Sequence, residues 1–392
     1  METKQIYIDK EALSTLGLLQ NGVLSPVTKL MNEQEMMEVD RTKKYKGSTF
    51  PFAFLLAPSG RRNEEVLKNL TKGETVDLVC EGQICGSIKN AKTFKIDKDE
   101  RVKQIYGTNN PEHPGVQDTY RRLGNYSIYG NLKITVDNIK KYKKKIKKII
   151  EDNGYHKISA LMLSGKPFHR VHERLIRTAL VKNDFLVLFI LKPFIDDCLP
   201  YKTRYKTIKY FCNNFIPKDK VIIVPLENTY IFGGFSELIL NTIVAKNYGC
   251  NEIIVSKTKN RLGAFYEREE FNSILDTLEG IDINVDIMSD FVYCEMCSTL
   301  VSTNACPHGS HHHTHYHSHS IMELFKLGIM PPAILMRKEV SSIILSDMFP
   351  DRQIKLQQIH QRLFPNSGLL DDFETTDFYE SLMKLYQTSS LT

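Results

Sequence analysis

Five short apolar runs in the middle of the chain constrain its fold more than any other feature of the sequence. Between residues 155 and 290 they read ISALML, FLVLFIL, KVIIVPL, EIIVSK and INVDIM. Segments with apolar residues at helical spacing lie near or between them, at 169–182, 203–215, 236–247 and 266–278. This alternation predicts a parallel sheet covered by helices on both faces, with a ligand crevice at the carboxyl ends of its strands.

The first of these strands leads into the most informative turn of the chain. Residues 158–173 read ISALMLSGKPFHRVHE, a predicted strand, a turn at 164–167 and the start of a helix. His169 and His172 are three residues apart and therefore share one face of that helix. Free backbone amides and the helix dipole favour anions there, and two histidines suit phosphate oxygens. In the alternative interpretation, one histidine caps or packs locally and the other is solvated.

The regions on either side of this alternation have different patterns. Residues 1 to about 135 contain short alternating runs separated by turn residues, which predicts a β-rich domain. A lysine-rich helix is expected at 138–151, and residues 331–392 have helical periodicity. A chain of 392 residues exceeds one ordinary core. We therefore expect domains at 1–150 and 151–330, followed by a helical region at 331–392.

The charge of the chain is concentrated in one segment. The net charge is +6, and KKYKKKIKK at 140–148 contains seven lysines. We interpret this run as a solvated helix face or linker and expect no nucleic-acid partner. The start, METKQIYIDKEAL, lacks the apolar core of a signal peptide, and no run of 18 apolar residues exists. These features predict a cytoplasmic protein without a membrane span.

The cysteine spacing predicts a metal site. Of eight cysteines, Cys294, Cys297 and Cys306 form a cluster within a predicted metal loop at 291–319. Three thiols and one histidine make the closed tetrahedral site of structural zinc. His308 and His311 are both candidates for the fourth ligand, and we prefer His311. The alternative is three free buried cysteines.

A histidine-rich run, HHHTHYHSH, occupies residues 311–319. If the run is extended, its odd-numbered histidines share one face and form a weak surface for zinc, nickel or copper. The alternative is an exposed polar loop that binds no metal.

With these residues placed, the chain resembles the ATP sulfurylase, or sulfate adenylyltransferase, family over about residues 15–350. The matching segments occur in the same order as in that family. They are SPVTKLMN at 25–32, which resembles SPLxGFMx; 97–116, which resembles the region ending in YGTxDxxHPGV; KPFHRVHE at 166–173, which resembles NPMHRAHE; 217–237 with 246–250, which resemble the segment ending in RKNYG; and 294–340, which resembles the metal loop and the stretch after it.

The resemblance implies a fold, a reaction and a set of site residues. The implied fold is a PUA-like β domain followed by a Rossmann-like nucleotidyltransferase domain of the HIGH type. In the implied reaction a sulfate oxygen attacks the α-phosphorus of Mg-bound ATP, giving adenylyl sulfate and pyrophosphate, and the implied assembly is a homo-oligomer. The implied contacts to ATP phosphates are His169 and His172. The remaining candidates are Ser164 and Lys166 as catalytic residues, and Lys257, Lys259 and Arg261 around the triphosphate.

The sequence departs from the family where sulfate is bound. In the motif QTRNPxHRxH, Leu163 replaces Gln, Gly165 replaces Arg and Lys166 replaces Asn. Arginine provides a planar bidentate fork for an oxyanion that lysine cannot copy. Family arginines are also missing from the aligned segments 230–237 and 316–322. Two hypotheses follow: a sulfate adenylyltransferase with impaired sulfate binding, or a non-catalytic pseudoenzyme that binds a nucleotide, anion or metal in a structural or regulatory role.

Overall fold

The protein contains two main β-sheets with helices around them, and the computed structural model describes residues 4–135, 138–192, 199–227, 236–256, 278–364 and 374–386. The strands in chain order are β1 Lys4–Tyr7, β2 Lys44–Tyr45, β3 Ser48–Thr49, β4 Leu56–Pro58, β5 Val76–Cys80, β6 Gln83–Lys95, β7 Leu123–Ile134, β8 Ile158–Leu163, β9 Phe185–Lys192, β10 Val221–Glu227, β11 Glu252–Ser256, β12 Asn284–Met288, β13 Phe291–Cys294, β14 Thr299–Ser302 and β15 His313–Thr314. The described helices are α1 Lys10–Gln20, α2 Glu33–Thr42, α3 Arg61–Lys68, α4 Lys98–Tyr106, α5 Pro114–Arg122, α6 Asn138–Asn153, α7 Arg170–Lys182, α8 Tyr201–Phe215, α9 Ser236–Asn247, α10 Ser318–Lys326, α11 Lys338–Met348, α12 Gln353–Leu363 and α13 Thr375–Tyr386.

The first sheet confirms the predicted β-rich region. Its strand order is β1-β5-β6-β7-β4, with β1 parallel to β5 and the other neighbours antiparallel. Five helices, α1 to α5, also belong to this region, and the sequence-based prediction omitted them. The N-cap residues of these helices are a local sequence signal from which the helices could have been predicted. Asp9 accepts a hydrogen bond from the amide of Ala12, and Asn32 forms a capping box with Glu35.

The second sheet is parallel throughout and has the order β10-β9-β8-β11-β12. All five predicted strands are present, and α7, α8 and α9 agree with the predicted helices to within two residues. The predicted helix at 266–278 falls outside the described residues up to position 277. Because β8 comes first in the chain and lies centrally, the strand order reverses between β8 and β11. In such sheets the ligand crevice opens at that point.

The two sheets share one apolar core. Ile88 and Ile128 of the first sheet and Ala160, Phe189 and Val224 of the second belong to the same buried cluster. A polar contact also joins the two parts, because the Asn247 side chain at the end of α9 donates to the carbonyls of residues 23 and 25 at 2.9 Å each. The parallel sheet is therefore anchored to the first sheet as well as covered by helices.

The lysine-rich helix α6 packs by its apolar face. Ile146 is fully buried, and Lys143 donates from Nζ to the carbonyl of Asn21 at 3.3 Å. The other six lysines of the run are exposed, as expected of a solvated helix face. The predicted helical region after residue 331 is also present, as α11 to α13. No helix in the described ranges is long and apolar enough to cross a membrane.

Candidate functional site

The turn after β8 lies at the carboxyl edge of the parallel sheet, beside the point where the strand order reverses. Gly165 has φ +58°, and a Cβ at this position would lie 3.1 Å from Ile208 Cδ1. Glycine adopts this left-handed conformation without strain, unlike other residues. Arg204 of α8 is 1% exposed and donates from Nη1 to the carbonyl of Ser164 at 2.7 Å. The buried guanidinium of Arg204 therefore fixes the backbone of the turn.

The candidate residues of this turn differ in exposure. Leu163 is buried in an apolar cluster with Phe168, where it offers no hydrogen bond. Ser164 is exposed, and Lys166, which precedes a cis peptide bond to Pro167, is half-buried. Neither Ser164 nor Lys166 is buried in the core, so both side chains are accessible to a ligand at the carboxyl edge of the sheet.

His169 and His172 form a close pair of tilted rings at the start of α7. His169 is the N-cap, and its backbone amide donates to His172 Nδ1 at 3.1 Å. The two ring centroids are 3.9 Å apart. Because Nδ1 accepts this bond, the proton of a neutral His172 is assigned to Nε2. The Nδ1 atom of His169 is buried and has no hydrogen-bond partner among the described residues.

Both histidines are held in the neutral form. Burial lowers the pKa of His172 to about 4. Burial, together with the charge that His172 would carry, lowers the pKa of His169 well below its ordinary value. At neutral pH the pair thus presents imidazole N–H groups rather than charges, at the positive end of the helix dipole.

This pair should make the stability of the protein depend on pH. A depressed pKa in the fold means that the unfolded chain binds more protons below pH 6.5, so stability should fall as pH drops from about 6.5 towards 4. For His172 alone the loss between pH 7 and pH 5 is on the order of 2 kcal/mol. Urea unfolding at both pH values measures it, with His172→Gln as the comparison. The prediction fails if the variant and the wild type lose equal stability.

An ion network next to the pair connects α7 to the start of α11. Glu173 is 5% exposed, and its Oε2 accepts from Arg337 Nε at 2.8 Å and from Arg170 Nη1 at 3.3 Å. Arg170 also donates from Nε to the carbonyl of Ala333 at 3.1 Å and from its backbone amide to the carbonyl of Leu335 at 3.0 Å. The sequence analysis missed this network, since Glu173 and Arg337 lie 164 positions apart.

Tyr316 is a second neighbour of the pair that the sequence analysis did not predict. Its ring centroid lies 5.4 Å from that of His169, and its hydroxyl donates to the carbonyl of Ile334 at 2.6 Å. Burial raises the pKa of Tyr316 to about 12, so the hydroxyl is neutral. Tyr316 thus packs beside His169 from the histidine-rich segment.

A group of three cysteines and one histidine forms a possible metal centre. The Sγ atoms of Cys294, Cys297 and Cys306 lie 3.4, 3.3 and 3.6 Å from His308 Nδ1. The sulfurs of Cys297 and Cys306 are 3.9 Å apart. A tetrahedral zinc ion with Zn–S bonds of about 2.3 Å places its sulfurs about 3.8 Å apart. The donor set and spacing therefore fit such an ion.

The environment of these thiols also favours a cation. Desolvation, together with the neighbouring Cys294 and Cys306, raises the pKa of Cys297 to about 11. Several thiolates in one place repel each other, and a divalent ion removes that cost because it binds the deprotonated sulfurs.

The structure places His308, and not the preferred His311, with the three thiols. His308 follows Cys306 by two residues, and its Nδ1 faces all three sulfurs. His311 lies in a short 3-10 helix, Ser310–His312, and its ring packs against Gly309 and the ring of His312.

The remaining predicted residues are placed as follows. Lys257, Lys259 and Arg261 lie outside the described residues. The histidine-rich run is not extended throughout, since it contains a 3-10 helix, the short strand β15 and the start of α10. Among described residues, the run forms no second group of three metal-ligating side chains.

The fold and the site together define the class: a β-rich domain followed by a doubly wound α/β domain with a histidine pair after its first strand. Models of a PUA-like domain and of ATP-sulfurylase match residues 1–137 and 137–347. The chain belongs to the ATP-sulfurylase family.

Curated relatives agree with this assignment, and a solved structure shares the fold. The sulfate adenylyltransferase of Carboxydothermus hydrogenoformans is 26% identical over 87% of this chain and 91% of its own length. That of Staphylothermus marinus is 25% identical over 88% and 91%. A solved structure described as a hexameric APS kinase from Thiobacillus denitrificans matches the fold with a TM-score of 0.67 at 16% identity, and covers 100% of this chain and 75% of that one.

Proposed function

We propose that this protein binds Mg-ATP, or a closely related nucleotide, at the turn after β8, and that its sulfate adenylyltransferase activity is impaired. The observation that carries the proposal is the neutral histidine pair at the start of α7. The buried Nδ1 of His169 lacks a described partner, and His172 keeps Nε2–H as a donor. Orphaned buried polar atoms are rare in folded proteins, and a phosphate oxygen at this helix end suits the donor geometry.

The sulfate side of the turn supports the second half of the proposal. Family members have an arginine where this chain has Gly165, and the left-handed backbone there disfavours any larger side chain. Leu163 is buried among apolar side chains. Loss of a charged partner typically costs about 2–5 kcal/mol in recognition. Because several sulfate-binding arginines are absent, sulfate should bind too weakly for its oxygen to attack the α-phosphorus of ATP.

The proposed reaction defect is tested in the reverse direction. Pyrophosphate-dependent formation of ATP from adenylyl sulfate should be at least about 1000-fold slower than in the sulfate adenylyltransferase of Carboxydothermus hydrogenoformans, as expected from about 4 kcal/mol of lost transition-state binding. Comparable rates in the two proteins would refute the impairment. Calorimetric titration with sulfate alone should likewise give no heat.

Nucleotide binding has its own prediction. Replacement of His172 by alanine should weaken the binding of Mg-ATP about 10- to 100-fold, because one hydrogen bond to a charged phosphate contributes about 1.5–3 kcal/mol. Isothermal titration calorimetry measures the affinity. His319→Ala is the matched control, since His319 is exposed and paired only weakly with Glu323 at 4.0 Å. Equal affinities of wild type and His172→Ala would contradict the phosphate role.

We also propose that the Cys3His group binds zinc and that the chain forms a homo-oligomer. Zinc is supported by the thiolate and imidazole donors, which suit a structural zinc site. Oligomerisation is supported by the exposed apolar side chains of Leu327, Ile329 and Ile334, with 72%, 50% and 43% exposure. Light scattering coupled to size-exclusion chromatography tests the oligomer, and a mass of a single chain would disprove it.

A further inference from the structure

The segment from His308 to Tyr316 joins the metal-binding group directly to the histidine pair. His308 belongs to the group of three thiols. The short strand β15 then pairs with β13, where His313 lies opposite Cys294. Tyr316 follows two residues after this strand and packs beside His169. Only seven positions therefore separate a metal ligand from a neighbour of the phosphate site.

The contacts at the metal end of this segment are specific. His313 Nε2 lies 3.4 Å from Cys306 Sγ, and the amide of Glu295 donates to the carbonyl of His312 at 3.0 Å. An imidazole that hydrogen-bonds a ligating thiolate orients it and is itself held by it. The position of β15 thus depends on the metal-binding group through two contacts, one at His313 and one at the preceding residue, His312.

We propose that Tyr316 is a positioning residue that couples metal binding to the geometry of the histidine pair. With the metal bound, β15 holds the Tyr316 ring against His169 and its hydroxyl on the carbonyl of Ile334. Arg170 binds the two residues on either side of Ile334, at the carbonyls of Ala333 and Leu335. Tyr316 and Arg170 therefore bind the same stretch of chain, residues 333–335. A displacement of Tyr316 is passed through this stretch to the start of α7.

The metal is needed for this arrangement because the segment has little other anchoring. β15 contains two residues, and no residue of 308–320 is buried. A short two-stranded pairing with few buried contacts is only marginally stable by itself. The free energy of metal binding therefore orders this segment, as it does in small metal-stabilised loops. The part of the inference that concerns nucleotides rests on the proposed function.

The first test needs no nucleotide. The amides of His172 and Glu173 donate to the carbonyl of His169 at 2.9 and 3.3 Å, and their hydrogen exchange reports on the start of α7. Removal of the metal should speed this exchange about 10-fold in the wild type, within the usual range of coupling between sites. In Tyr316→Ala, removal should change it less than twofold. Amides of the central strand β9 should exchange equally slowly throughout, which shows that the fold persists. Unchanged exchange at α7 in the metal-free wild type overturns the proposal.

A second test uses the reciprocity of coupling. If the metal tightens Mg-ATP binding about 10-fold, saturating Mg-ATP must strengthen metal retention by the same factor against a chromogenic chelator. Tyr316→Ala should abolish both effects, Tyr316→Phe should weaken them because it loses the hydrogen bond to the carbonyl of Ile334, and His315→Ala serves as the exposed neighbouring control. Equal coupling in wild type and Tyr316→Ala overturns the role of Tyr316. If the metal-loaded wild type binds no ATP, the proposed function fails, and the exchange experiment alone decides the coupling.

Discussion

Replacement of His308 by alanine should release the metal from the group of Cys294, Cys297 and Cys306, whereas replacement of His311 should leave it bound. In the structure His308 Nδ1 lies within 3.6 Å of all three sulfurs, while His311 packs on Gly309 and His312. Complete structural zinc sites bind with about 10–16 kcal/mol at neutral pH, and removal of one of four ligands opens the site to water and chelators. The expected loss of affinity is several orders of magnitude.

Elemental analysis after dialysis against a chelator measures this outcome. Wild type and His311→Ala should each retain about one zinc ion per chain, and His308→Ala should retain almost none. Cys306→Ser should behave like His308→Ala. Cys212→Ser is a matched control, because Cys212 is a half-buried thiol outside the group. Zinc loss in His311→Ala with retention in His308→Ala would show that the ligand assignment is wrong. A wild type without zinc would disprove the metal itself.

Replacement of Glu173 by glutamine should destabilise the fold by about 2–3 kcal/mol, more than any surface ion pair contributes. The Glu173 side chain is 6% exposed and faces Arg170 and Arg337, whose side chains are 27% and 20% exposed. Removal of the carboxylate leaves two arginines close together without their shared partner and places an amide N–H₂ against them. Part of this cost is recovered because both arginines reach solvent.

Urea unfolding monitored by circular dichroism gives the free energy, with an unchanged slope expected for a folded variant. The control is Glu323→Gln, since Glu323 forms an exposed pair with Lys326 at 2.8 Å and should change stability by less than about 0.5 kcal/mol. If both variants lose the same small amount of unfolding free energy, the network around Glu173 does not stabilise the fold. Because Arg337 occupies the N-cap position of α11, the variant should also exchange amides faster at the start of that helix.

The sequence alone predicted the elements that depend on local periodicity. The five strands of the parallel sheet and helices α7, α8 and α9 follow from apolar spacing, and so does the position of His169 and His172 at the start of α7. Apolar spacing carries this information because a surface helix turns its apolar side chains to one face, whereas a strand covered on both faces is apolar along its whole length. The resemblance to the family, read from ordered motifs, agrees with the family models that match the chain.

Only the tertiary structure decided which distant or alternative side chains meet. Spacing left both His308 and His311 open as the fourth ligand, and the structure brings His308 to the three thiols. The contacts of Glu173 with Arg337 and of His169 with Tyr316 join residues about 150 positions apart. A sequence specifies such pairs through the packing of whole elements, whereas local patterns report only the face on which a residue lies. The neutral histidine pair depends on both sequence and tertiary structure. The sequence sets the spacing of His169 and His172, and burial in the fold suppresses their protonation.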